Sequence, residues 1–134
     1  MLIPESCARR LFLSSQVFSV SAVVAYLKGH LALAGADLLL LGTSLNYWRQ
    51  PELGVRRNLD MFVVFVTVLY NLYKSRVRIG RFVVFDPLYV LLISCIVCIY
   101  HKSVHCEDVH EATTRHQIVH YFGAAVKCLM YFHL

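Results

Sequence analysis

Charge is scarce in this chain. Only 16% of its 134 residues are Asp, Glu, Lys or Arg, where ordinary soluble domains carry ~25%. Proline and glycine are sparse as well, at three and six residues, so long helical stretches meet few breaks. No glycine-rich nucleotide loop and no nucleophile elbow occur, which argues against the common soluble phosphoryl- and acyl-transfer chemistries. Repeats and low-complexity tracts are missing. The five cysteines make no disulfide framework. Cys95-Ile96-Val97-Cys98 has the spacing of a redox pair but lies within an apolar run, where small buried side chains are the better reading.

What remains is hydrophobic. Residues of the apolar set make up 58% of the chain, and the mean hydropathy is +0.59. A spanning helix needs ~20 predominantly apolar residues, with a range of about 17 to 25. The stretches Leu11–Leu27, Leu31–Trp48, Leu59–Tyr73, Phe82–Tyr100 and Gln117–Leu134 approach that length. The third is the shortest and the fifth carries Lys127, so four spans with an interfacial helix stay open beside five. The expected fold is all-α: a polytopic transmembrane helical bundle of four to five short spans, with residues 1–134 as one integral membrane domain. Arg9 and Arg10 precede the first run as in a signal peptide, but Tyr26-Leu27-Lys28 is a poor cleavage site, so a retained signal-anchor is expected.

The net charge of +5 does not point to nucleic acid. Its basic residues sit almost wholly in connections: Arg49, Arg56 and Arg57, then Lys74, Arg76, Arg78 and Arg81. Clusters beside spans meet anionic lipid head groups. Their near-even split between the two sides leaves orientation open by the positive-inside rule, with a lean towards a cytoplasmic N-terminus.

Several local features add detail. Ser14, Ser15, Ser19 and Ser21 in the first run read as packing hydroxyls, and Lys28-Gly29-His30 turns the chain tightly into the second. Tyr47 and Trp48 close the second run as an aromatic interface belt, before Arg49 and the breaker Pro51. Asn58 reads as the N-cap of the third run, which puts Asp60 in its first turn, where the helix dipole favours a carboxylate. Asp86 before Pro87 reads as another cap, with Phe82 to Phe85 at the interface. His101 to Arg115 is the only sizeable polar connection.

Three arrangements bear on chemistry. The connection holds His101, His105, Cys106 and His110, donors that zinc accepts, although their spacing matches no standard finger. Asp37 lies near mid-span, where an ionised carboxylate is expensive; it stays protonated or pairs with Lys127, which otherwise snorkels. The third is a constellation across spans: Ser44 and Tyr47 near one span end, Asp60 at the start of the next, and His116 with His120 opening the last. Histidines four apart share a helix face and can reach one metal ion. With a carboxylate they would leave an open zinc position, whose water has its pKa lowered to about 7.

This constellation resembles the CREST superfamily of membrane hydrolases and receptors, which includes alkaline ceramidases, the progestin and adipoQ receptors, and haemolysin III-like proteins. In that superfamily an S-x-x-Y-H motif ends the second span, an aspartate opens the third, and H-x-x-x-H begins the last. Ser44, Tyr47, Asp60, His116, His120 and Gly123 stand at matching places. The resemblance implies a zinc held by histidines, with Ser44 and Asp60 positioning or polarising the centre for attack on an amide. Trp48 stands where the motif has its third histidine, and the seven spans of the superfamily exceed the room available here. Ser44 and Asp60 are thus the candidate catalytic residues, His116 and His120 the candidate metal ligands, and zinc the candidate cofactor. The first functional expectation is a small membrane scaffold or accessory subunit, open to homo- or hetero-oligomerisation. The alternative is a minimal zinc-dependent membrane hydrolase acting on lipid amides.

Overall fold

A computed structural model of the protein describes residues 3–79 and 85–134, and all regular structure among them is α-helical. In chain order the helices are α1 (Glu5–Ser15), α2 (Phe18–Leu27), α3 (Leu31–Trp48), α4 (Val55–Ile79), α5 (Phe85–Val104) and α6 (Val109–His133). The first apolar run is therefore bent into α1 and α2. At the bend Gln16 N bonds to Leu13 O and Val17 N to Ser14 O. The serines supply a cause. Ser14 and Ser15 both return their hydroxyls to Leu11 O, and Ser19 does the same to Gln16 O, and such back-bonding bends helices.

Gly29 ends α2 with φ 78°, the left-handed conformation that glycine adopts without a Cβ penalty. Gly29 N and His30 N cap carbonyls of Tyr26 and Ala25, and α3 follows at once as the expected second apolar run. Tyr47 and Trp48 at its end are buried, not set in an outer belt. Both pack with Leu11 of α1, because α1 crosses the end of α3.

Helix α4 starts earlier than the sequence pattern indicates. Asn58 N already bonds to Gly54 O, so Asn58 lies within the helix and is not its N-cap. Asp60 falls beyond the first turn, which holds no acid, and the dipole does not account for it. Helix α4 also continues to Ile79, so Lys74 and Ser75 are helical and do not belong to a connection. Gly80 and Arg81, the interfacial stretch 82–84, and the side chain of Asp86 with its expected capping role lie outside the described residues. Pro87 falls in the first turn of α5, where its missing N–H removes no helical hydrogen bond.

The polar stretch His101 to Arg115 is mostly helix, not a connection. Helix α5 runs through Val104 and α6 begins at Val109. Asp108 caps α6, with Oδ1 accepting from His110 N at 2.8 Å and Glu111 N at 3.3 Å. Glu111 then pairs with Arg115 one turn on, at 2.6 Å. Capping plus an i,i+4 pair carries a polar segment into helix.

Helices α3 and α6 hold the centre. Helices α2 and α4 pack on α3, α5 packs on α6, and α1 touches both. One apolar cluster joins Ala25, Leu33, Ala34, Tyr89, Val126, Met130 and Tyr131; another joins Phe18, Leu40, Val63 and Ala124. Two helical segments, Glu5–Leu27 and Pro87–Val104, are long and apolar enough to cross a membrane.

The cap makes a pH prediction. Backbone hydrogen bonds from His110 and Glu111 hold the Asp108 carboxyl below its usual range. A depressed pKa contributes stability above the unfolded value, and that contribution is lost as pH falls through the folded one. Amide exchange at His110 and Glu111 should therefore speed up, beyond its intrinsic pH dependence, as Asp108 protonates. In Asp108→Asn this step should vanish.

Candidate functional site

Ser44, Asp60, His116 and His120 all line one partly open cavity of about 630 Å³. Helices α3 and α6 contribute side chains to it, as do α4 and α5. Ser44 and Asp60 meet as an antiparallel pair of helices should place them: Ser44 Oγ donates to Asp60 Oδ1 at 2.7 Å. Thr43 Oγ1 reaches the same oxygen at 3.1 Å. The carboxylate is buried and held by hydroxyls of the neighbouring helix, which explains its place better than the helix dipole does.

His116 and His120 lie edge to face, with ring centroids 4.9 Å apart. The His120 Nδ1 is 2.7 Å from Ser14 Oγ, and His116 Nδ1 is 3.5 Å from Ser103 Oγ. Aromatic rings enclose the pair. Trp48 stands edge-on at 5.0 Å from His116 and 6.4 Å from His120; Tyr100 and Phe18 contact one imidazole each. The indole Nε1 of Trp48 is buried without a hydrogen-bond partner, and so is Asn71 Nδ2 on another wall of the same cavity.

Whether these residues fit a zinc ion turns on the third donor. An indole N–H donates and has no lone pair for a metal, and it occupies the space beside both imidazoles. Asp60 Oδ1 is engaged by Ser44 and Thr43. Among the described residues no group of three or more His, Cys, Asp or Glu side chains is arranged around one metal position. His116 and His120 are thus the histidines of the site, and Trp48 brings no third nitrogen ligand to it.

The histidines of the former connection do not converge either. His101 and His105 stack on each other at 4.1 Å, His110 Nδ1 lies 3.5 Å from Cys7 Sγ, and Cys106 Sγ donates to Glu111. These are separate pairs.

A second polar cluster adjoins the cavity. Lys127 Nζ donates to Asp37 Oδ1 at 2.5 Å, and Tyr131 donates its hydroxyl to Oδ2 at 2.9 Å. Lys127 is buried, so it pairs with Asp37 and does not snorkel. Sequence reasoning missed Ser14, Ser103, Tyr131 and Asn71 as members of these clusters. For Asn71 a signal existed: Asp60, Thr67 and Asn71 are spaced seven and four apart, which is one face of a helix. The serines left none, since hydroxyls occur along the whole first run.

Comparison with protein-family models, with curated proteins and with solved structures finds no match for this chain.

The Asp37 cluster can be tested by thermodynamics. Removing one partner of a buried ion pair leaves the other uncompensated, at a cost of about 3–5 kcal/mol. Lys127→Met should destabilise the protein by that order in a denaturation assay in bicelles. Adding Asp37→Leu should restore much of the loss, giving a large coupling energy in the double-mutant cycle.

Proposed function

We propose that this chain is a small multi-pass integral membrane protein, a helical scaffold or accessory subunit of four to five spans. The observation that carries the reading is an inverted distribution of polarity. Large apolar side chains point outward: Val23 on α2, Leu38 and Leu39 on α3, Phe62 on α4, Leu91 on α5 and Phe132 on α6 are each more than half exposed. Polar ones point inward: Ser15, Ser21 and Asp37 are 0% exposed and Asn71 1%. In water, each outward Leu or Phe left exposed forgoes about 1.5–3 kcal/mol. In lipid the same faces cost nothing, and it is the polar groups that must be hidden.

Helices α3, α4 and α6 include Asp37, Asp60 and Lys127, so their hydropathy understates their fitness to span. Each of these groups has an internal partner. Basic residues Arg49, Arg56 and Arg57 at the α3–α4 turn supply the contact with anionic head groups. A bundle of this size, built largely of helix pairs, suits an accessory role beside a larger partner or a second copy. The zinc-dependent hydrolase of lipid amides is the second reading. It draws on Ser44, Asp60, His116 and His120 lining one cavity.

Two measurements on one preparation test this. The protein should stay in the membrane fraction through alkaline carbonate extraction, and release into the supernatant would sink the membrane reading. Mass spectrometry of detergent-purified protein should then find no stoichiometric metal. About one zinc per chain, lost in a His116→Ala/His120→Ala double variant, would favour the hydrolase instead.

A further inference from the structure

Three helices carry the same order of features from one end of the bundle to the other. On α3, Trp48 and Ser44 line the large cavity, Asp37 follows, Ala34 belongs to an apolar cluster, and Leu31 lines a second recess. On α6, His116, His120 and Lys127 line the cavity, Met130 and Tyr131 belong to the cluster, and Leu134 lines the recess. On α4 the cavity runs from Arg57 to Asn71, Tyr70 and Leu72 pack against the cluster, and Lys74 lines the recess. The Asp37–Lys127 pair thus sits at the inner end of the cavity, and the apolar cluster separates it from the recess beside Gly29 and His30. From His116 to Lys127 is about 16 Å of helix axis, and from Lys127 to Leu134 about 10 Å.

The polar groups along this cavity are complementary to water. Ser44 and Thr43 both donate to Asp60 Oδ1, and among the described residues Oδ2 receives no hydrogen bond. Lys127 carries three ammonium protons. Among the described residues its hydrogen-bond acceptor is Asp37, at 2.5 Å, and the face of Phe18 lies 5.8 Å from Nζ. One end of the cavity thus offers an acceptor and the other end donors. Water serves both, whereas a ligand of a single charge serves one and opposes the other. A cavity takes water where it is roomy and supplies polar partners, and about 630 Å³ holds on the order of twenty molecules. Thr67 and Asn71 continue the polar wall between the two ends, and apolar side chains of α4 and α5, Val68 and Ile93 among them, complete it.

We propose that the cavity is a hydrated half-pathway, entered beside the α3–α4 turn, and that the Asp37–Lys127 pair is the proton-exchange site at its end. Leu53 and Arg57 mark the entrance. In the exchange one Nζ proton passes to a water molecule and one returns from water, so bonds and charge balance. Tyr131 donates to the same carboxylate, and Tyr89 of α5 and Cys128 of α6 lie within its field. Towards the entrance, Asp60, His116 and His120 line the same cavity, and α2 contributes Phe18. The apolar cluster keeps water to one side of the pair. Ionisable groups inside a membrane bundle mark proton and ion routes. The proposal rests on the membrane reading above and goes beyond a scaffold role.

The full-length protein, isotope-labelled and reconstituted in sealed phosphatidylcholine liposomes, would be studied by water-edited solid-state NMR. Magnetisation from water should reach Lys127 Nζ severalfold faster than the backbone amides of Ala34 and Met130 in the apolar cluster. A second measurement uses a cysteine-free chain carrying Leu53→Cys, Thr67→Cys or Met130→Cys, treated with a small membrane-impermeant methanethiosulfonate. Thr67→Cys should react to the same extent as Leu53→Cys at the entrance, and Met130→Cys should stay unmodified. Transfer to Lys127 no faster than to the cluster would overturn the proposal. So would lipid-chain contacts to Thr67 and Asn71 in place of water contacts, or an unreactive Thr67→Cys where Leu53→Cys reacts. Failure to enter the liposomes would instead remove the membrane reading beneath it, and the proposal with it.

Discussion

The interior of this protein is organised around one carboxylate. Asp37 is wholly buried in the middle of α3, and its two oxygens are taken by Lys127 and Tyr131 of α6. An ionised group at that depth is tolerable only when paired, so α3 and α6 are tied to one register and one rotation. Everything else is hung on that central pair. Helices α2 and α4 pack on α3, α5 packs on α6, and α1 bridges them. The same rotation turns Ser44 towards Asp60 and brings Trp48 against His116 and His120. Pairing of this kind contributes little net stability, yet it discriminates strongly against every other arrangement, which leaves a charge bare.

A polar interior has a second consequence. The cavity among α3, α4, α5 and α6 gathers Ser44, Asp60, His116 and His120 where α3 ends and α6 begins, and Thr67, Asn71 and Lys127 further along. An aromatic enclosure of Phe18, Trp48 and Tyr100 fixes both imidazoles, and Ser14 orients one of them. Trp48 brings a large ring edge-on to both imidazoles and a buried N–H without a partner.

Much of the architecture was legible in the sequence because apolar run length is a strong signal. The all-helical fold, the extent of α3, the tight turn at Gly29, the contact of Ser44 with Asp60 and the Asp37–Lys127 alternative were all readable. Helix ends were not. Asn58 looked like a cap, and His101 to Arg115 like a connection, because polar composition resembles loop; Gly54, Asp108 and the Glu111–Arg115 pair decide those ends by local hydrogen bonding. Tyr47 and Trp48 looked like an interface belt because composition cannot tell that α1 crosses the end of α3. The serine partners of the histidines come from other helices, Ser14 lying 106 residues from His120 and Ser103 13 residues from His116, and no local pattern encodes such contacts.

The central claim is that the outward apolar faces meet lipid. Cys95 and Cys98 are exposed on α5, so they sample that face directly. A variant retaining only these two thiols (Cys7→Ala, Cys106→Ser, Cys128→Ala) would be reconstituted in sealed proteoliposomes and treated with a membrane-impermeant maleimide. The account predicts no labelling until the protein is unfolded in SDS, after which both thiols react. Prompt labelling in intact vesicles would place that face in water and contradict the account.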